Sequence, residues 1–101
     1  MAKPTKSQLL ARLRRDHAGN DAAVQRDRIL EVLQAGHTLT TLEARRELDV
    51  LMPATRIFEL REAGHPIDKV MVEARTDVGV THRVALYFLA KPAPAAKRGV
   101  Q

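Results

Sequence analysis

The sequence contains no cysteine, so neither a disulfide framework nor a zinc site with thiolate ligands is possible. This absence is typical of proteins that work in a reducing cytoplasm. Aromatic residues are also scarce, with one tyrosine, two phenylalanines and no tryptophan. Because 45% of the 101 residues are hydrophobic, one small domain can still bury a core, and aliphatic side chains must supply most of its packing.

No run of apolar residues is long enough for a signal peptide or a membrane span. Motifs for catalysis are missing as well: we find no nucleophile constellation, no phosphate-binding glycine loop and no paired acids at a known spacing. The four histidines do not follow the spacing of metal ligands. We therefore expect a soluble intracellular protein that is not an enzyme and uses no membrane, metal or cofactor.

Acidic residues are nearly absent from the two ends of the chain, so its net charge of +5 is unevenly distributed. Residues 1–20 carry a net charge of +4, residues 21–90 carry −2 and residues 91–101 carry +3. The positive charge therefore lies in two terminal segments around a mildly acidic middle. A high isoelectric point alone does not predict nucleic-acid binding in such a chain.

We interpret residues 1–20 as a basic N-terminal arm that contains a candidate short helix at 8–15. Two interpretations stay open for it, a solvated tail that docks weakly and an arm that contacts phosphates. Residues 91–101 are predicted to be a disordered basic tail. The candidate phosphate contacts of the arm are Lys3, Lys6, Arg12, Arg14 and Arg15.

Two short helices joined by a tight turn are predicted between Thr40 and Gly64. Thr40 and Glu43 have the spacing of a capping box, which marks the start of the first of these helices. Pro53 suits the first turn of the second helix, where its missing N–H costs nothing. Gly64 suits a left-handed C-cap. This arrangement is typical of a helix-turn-helix.

A β-hairpin is predicted after Gly64, because the hydrophobic period changes there and β-branched residues become frequent. Its strands lie near 67–75 and 81–89. An earlier helix near 21–35 completes a three-helix core with helices near 41–48 and 53–63. The predicted fold class is α+β: a small winged helix-turn-helix domain over residues 21–90, with a three-helix core followed by a β-hairpin wing and with basic flexible arms.

The span from Gln25 to Leu89 resembles the winged helix-turn-helix domains of small phage and prophage proteins. The resemblance rests on the order of the runs L-T-T-L-E-A-R-R-E-L and R-I-F-E-L-R-E-A-G-H-P-I and a hairpin ending at Leu89. It implies binding to double-stranded DNA in a bacterial cytoplasm or nucleoid, or in the host cell if phage-encoded. Such domains often have glycine where this chain has Asp49, but aspartate tolerates left-handed geometry, so we expect the turn to persist.

The same resemblance implies that the third helix enters the major groove, where its N-terminal residues reach base edges. Thr55 could contact a base edge or phosphate, Ala54 a thymine methyl, and Arg56 guanine or phosphate. The alternative for Arg56 is an ion pair with Glu59 inside the helix. For the residues around the wing turn, the alternative is a solvated hairpin. The candidate DNA-binding residues are Arg45, Arg46, Ala54, Thr55, Arg56, Arg75, His82 and Arg83.

Glu59 and Glu62 count against DNA binding, because a carboxylate is repelled by phosphates. We expect Glu59 to pair with Arg56 or with an arginine of the preceding helix. We expect Phe58 to pack at the edge of the core, although it could instead contact a protein partner or a second subunit. The alternative functions are therefore a winged-helix protein–protein interaction module and an excisionase-like architectural DNA binder.

Overall fold

A computed structural model describes residues 4–16 and 19–90, which form four helices and a three-stranded sheet. The two helices of the helix-turn-helix and both hairpin strands lie within a residue of their predicted bounds. The helices are α1 (Lys6–Asp16), α2 (Ala22–Gln34), α3 (Thr41–Glu47) and α4 (Pro53–Glu62), and the strands are β1 (Leu39–Thr40), β2 (Ile67–Arg75) and β3 (Thr81–Leu89).

The sheet is antiparallel, with β3 between β1 and β2. β2 and β3 form the predicted hairpin, in register from Ile67 opposite Leu89 to Arg75 opposite Thr81. Residues 76–80 form the wing turn, in which the Gly79 amide donates to the Thr76 carbonyl at 2.9 Å. Gly79 has a φ of 87°, which a side chain would disfavour. β1 pairs with β3, and its two residues join the helices to the sheet.

The start of α3 follows its local sequence signals. The Glu43 amide donates to Thr40 Oγ1 at 3.1 Å, and the Thr40 amide donates to Glu43 Oε1 at 2.9 Å, so the predicted capping box is confirmed. Leu39 and Ala44, which flank the cap, are both buried. The turn after α3 keeps its left-handed residue, because Asp49 has a φ of 56°.

The core includes α1, which the sequence analysis had assigned to an arm outside the domain. Leu9, Leu10 and Leu13 are buried in one cluster with the apolar residues of α2, α3, α4 and the sheet. The three leucines of α1 therefore pack against the domain that the sequence predicts over residues 21–90. Basic residues dominate the composition of this segment, but its three leucines lie on one helical face and require a partner surface.

Arg28 is a buried cation that the sequence did not predict. Its Nη1 donates to Asn20 Oδ1 at 2.7 Å and to the Leu48 carbonyl at 3.0 Å, and its Nη2 donates to the Gly19 carbonyl at 2.6 Å. The side chain thereby fixes the segment before α2 against the end of α3. Its role is structural, because these contacts hold it inside the fold.

None of the helices in the described ranges combines the length and the apolar character that a membrane span requires.

Candidate nucleic-acid interface

α4 packs one side into the core and leaves the opposite side of its N-terminal half exposed. Pro53, Ile57 and Leu60 are buried, and the helical period places Ala54 and Thr55 outward, where they are exposed. This is the geometry that a recognition helix needs, because its first turns must approach the base edges.

Phe58 lies on the same outward side, with 60% of its surface exposed. The expectation that it packs at the core edge is wrong. The helical spacing decides its position: each residue turns about 100° around the axis, so Phe58 points away from the side that carries Ile57 and Leu60. The large apolar ring had suggested burial, but the wheel predicts exposure.

Arg56 lies on the flank of α4 and forms the ion pair with Glu59 that was the alternative to a DNA contact. Its Nε is 3.3 Å from Glu59 Oε1, and only 17% of its side chain is exposed. The same carboxylate oxygen accepts from Arg26 Nη1 of α2 at 2.8 Å. Two guanidinium groups therefore compensate the charge of Glu59, so this carboxylate does not present an unpaired negative charge to DNA.

The expected pairing of Glu59 with Arg56 is present, but its second partner, Arg26, was not predicted from the sequence. Arg26 and Glu59 are 33 positions apart, and only the packing of α2 against α4 brings them together. Glu62, one turn further along, is exposed. The remaining arginine of α4, Arg61, donates from Nε to the Ile67 carbonyl at 2.8 Å and links α4 to β2.

The two arginines of α3 are exposed at opposite borders of the candidate interface. Arg45 donates from Nε to the Leu51 carbonyl at 3.0 Å, which places it beside the turn that leads to α4. Arg46 reaches the wing turn, where its Nη2 is 2.9 Å from Asp77 Oδ1. α3 therefore carries positive charge both to the recognition helix and to the wing.

Two of the three candidate DNA-binding residues of the wing lie on the same face of the hairpin. Because side chains alternate along a strand, Arg75 and Arg83 lie on one face of the hairpin and His82 lies on the other. All three residues are exposed. Arg75 Nη2 donates to the Gly79 carbonyl at 3.3 Å, and Arg83 lies opposite Glu73. Arg75 and Arg83 therefore place two cations on one face of the hairpin, together with Glu73.

The basic residues of α1 have contacts within the fold. Lys6 Nζ is 2.9 Å from Glu43 Oε1, and Arg12 lies 4.0 Å from Asp16 and 3.8 Å from Glu31. Arg14 Nη1 lies 3.5 Å from the Arg46 carbonyl, so α1 adds a cation near the end of α3. Arg15 is 3.6 Å from Asp16, with 71% of its side chain exposed. Lys3 and the predicted tail, 91–101, lie outside the described residues.

A cleft of about 340 Å³ lies between α1, α3 and the hairpin. Burial opposes the ionisation of Glu43 in this cleft, but hydrogen bonds from the Lys6 side chain and the Thr40 backbone outweigh it and hold the Glu43 pKa below its ordinary value. Glu43 is therefore charged at neutral pH and neutralised by Lys6. The lining residues are Lys6, Thr38, Thr40, Leu42, Glu43, Arg46, Ala74, Arg75 and Leu86.

No group of three or more histidine, cysteine or acidic residues that could hold a metal ion occurs within 4–16 and 19–90.

The comparisons with known proteins agree with this geometry. Searches of curated proteins and of solved structures gave no significant match. A family model described as a winged helix-turn-helix domain matches residues 24–92, which is more than half of the chain. The matched segment contains α2 except for its first two residues, α3, α4, all three strands and the wing turn. The chain therefore belongs to the winged helix-turn-helix family.

Proposed function

We propose that this chain binds double-stranded DNA sequence-specifically and acts as a transcriptional regulator of the phage or prophage type. The observation that carries the proposal is the outward side of α4: its N-terminal residues are exposed, while arginines of α3 lie beside the adjacent turn and the wing. The family membership supports the same use of the fold.

In this proposal the outward side of α4 enters the major groove. Ala54 and Thr55 face the base edges, and Arg45 contacts the phosphates on the side of the preceding turn. Arg56 stabilises α4 through its pair with Glu59 and is a base contact only if that pair opens. Sequence discrimination therefore depends on the exposed residues of α4 rather than on its arginines.

Arg46, Arg75 and Arg83 hold the wing side of the interface to the DNA backbone. Arg46 must exchange Asp77 for a phosphate, an exchange with a small cost because an exposed ion pair contributes only about 0–1 kcal/mol. Arg14 and Arg15 extend the basic surface at the exposed end of α1. Such contacts position the domain without reading sequence.

The test is a titration of the full chain against two labelled duplexes, followed by fluorescence anisotropy over a series of salt concentrations. One duplex is enriched by the protein from a random library, and the other has the same composition in scrambled order. We expect tighter binding to the enriched duplex and a decrease in log affinity of about 0.9 per contacted phosphate for each decade of salt. Absence of binding to either duplex at low salt contradicts the proposal.

A protein–protein interaction module is the second candidate, because Phe58, Leu51 and Met52 leave apolar surface exposed. This candidate gains support if the chain binds no duplex at low salt and Phe58→Ala abolishes a contact between copies of the chain or with another protein. Measurement of the oligomeric state of wild type and variant by analytical ultracentrifugation tests the first of these contacts.

A further inference from the structure

α4 has few of the side chains that read purines by hydrogen bonding. Guanine is commonly read by arginine or lysine and adenine by asparagine or glutamine, each through two hydrogen bonds. The helix, P-A-T-R-I-F-E-L-R-E, contains no lysine, asparagine or glutamine. Its two arginines are already engaged: Arg56 with Glu59, and Arg61 with the Ile67 carbonyl. Of the outward side chains Ala54, Thr55 and Phe58, only Thr55 has a group, its hydroxyl, that can hydrogen-bond to a purine edge.

The surface that α4 does expose is mainly apolar. Phe58 follows Ala54 and Thr55 at helical spacings of four and three, so the three side chains form one outward stripe. Leu51 and Met52, in the turn just before α4, are 75% and 58% exposed. We refer to Leu51, Met52, Ala54, Thr55 and Phe58 as the apolar recognition surface.

Thymine carries the one apolar group, its C5 methyl, that distinguishes a natural base pair in the major groove. Alanine, the threonine methyl and phenylalanine are side chains that contact this methyl group. We propose that the apolar recognition surface selects DNA by burying thymine C5 methyl groups, with Phe58 as the main contact. This inference rests on the proposed DNA-binding function and specifies how it discriminates sequence.

The surroundings of this surface favour a polyanion over an apolar protein partner. Arg45 is hydrogen-bonded to the Leu51 carbonyl and exposed, so a cation lies at the border of the apolar surface. Arg46 follows it on the same helix and reaches the wing turn. An apolar centre beside exposed arginines matches a major groove, in which thymine methyls lie between two rows of phosphates.

The test compares DNA that differs only in the thymine methyl group. Duplexes enriched by the full chain from a random library are synthesised with thymine or with uracil throughout, which leaves every Watson–Crick hydrogen bond in place. We expect the uracil duplex to bind more weakly by about fourfold for each methyl buried, the equivalent of about 0.8 kcal/mol per buried carbon group at 1.4 kcal/mol per tenfold. The salt dependence should not change, because the phosphate contacts are the same.

Phe58→Ala provides the second half of the test. For this variant, the ratio of the affinity for the thymine duplex to the affinity for the uracil duplex should be closer to one. Met71→Ala, a control at an exposed apolar residue of β2, should keep the wild-type ratio. Thermal unfolding verifies that both variants fold. Equal binding of thymine and uracil duplexes by wild type overturns the inference while the DNA-binding function stands. Absence of binding to any duplex overturns the proposed function and the inference with it.

Discussion

Arg46 and Asp77 form an ion pair, with 2.9 Å between Nη2 and Oδ1, that connects α3 to the wing turn. Both side chains are substantially exposed, so the pair contributes little to stability and its partners can be exchanged. The Asp77 carboxylate of the wing turn thus binds Arg46, the side chain that the proposed interface needs for a phosphate contact. In the proposed complex, a DNA phosphate therefore competes with Asp77 for Arg46.

Asp77→Asn should strengthen binding to DNA of any sequence. The substitution removes a negative charge from the interface and releases Arg46, so affinity for a scrambled duplex should rise and its salt dependence should become steeper, by up to about 0.9 in slope for one additional phosphate contact. Fluorescence anisotropy over a salt series measures both quantities. Asp68→Asn, a change of the same charge at the start of β2, is the matched control. An unchanged affinity for Asp77→Asn would place the wing turn away from DNA.

Leu60→Ala should destabilise the fold by roughly 2–5 kcal/mol, because truncating a buried leucine leaves a cavity in the core. Phe58→Ala, two residues earlier on the same helix, should change stability by about 0.5 kcal/mol or less, as is usual for an exposed position. Urea unfolding followed by circular dichroism gives both free energies. Similar losses for the two variants would mean that the inward and outward sides of α4 have been assigned wrongly.

Leu13→Ala should likewise cost roughly 2–5 kcal/mol, because Leu13 is completely buried. Arg15→Ala, on the exposed side of the same helix, serves as the control and should have little effect on stability. Urea unfolding measures both. If Leu13→Ala unfolds at the same urea concentration as wild type, α1 is an arm attached to the domain, as its sequence first indicated. A protein trimmed to begin at residue 21 would lose three core leucines together with its basic charge, so point variants test α1 more cleanly.

Glu43 should make the stability of the fold depend on pH in the acid range. Its pKa is lower in the folded protein than its ordinary value, so its stabilising contribution is fully present above that ordinary value and is lost as the pH falls through the folded-state pKa. Glu43→Gln should therefore lower the melting temperature at neutral pH, and the difference from wild type should shrink as the pH falls below the ordinary value of 4.5. Glu62→Gln, at an exposed carboxylate of α4, is the control. A difference that does not change with pH would show that the capping geometry, not the charge, matters at this position.

Local signals explain why much of the fold could be predicted from the sequence. Thr40 and Glu43 satisfy each other's amides across one helical turn, Pro53 begins α4, and Gly64 ends it with a φ of 102°. Each of these features depends on residues a few positions apart, so each can be recognised in the sequence without knowledge of the tertiary structure. The hairpin was predicted for the same reason, because its turn and its β-branched strands are adjacent in the chain.

The features that were missed depend on distant parts of the chain. Arg28 is buried because its carbonyl and amide partners at Gly19, Asn20 and Leu48 converge on it, and no spacing in the sequence indicates this convergence. The pairing of Arg26 with Glu59 likewise requires α2 and α4 to pack together. Phe58 is a different case, since the helical projection placed it outward and its hydrophobicity was given too much weight.

The most direct test of the proposed function is the ratio of affinities for the enriched and the scrambled duplex, measured for wild type, Thr55→Ala/Phe58→Ala and Arg45→Ala/Arg46→Ala. We expect the α4 variant to lose most of the ratio, at about 0.8 kcal/mol for each thymine methyl that it no longer buries, and to keep the wild-type salt dependence. The α3 variant should keep the ratio but bind both duplexes more weakly, with a shallower salt dependence. A wild-type ratio of one, or an α4 variant with an unchanged ratio, contradicts sequence recognition by α4.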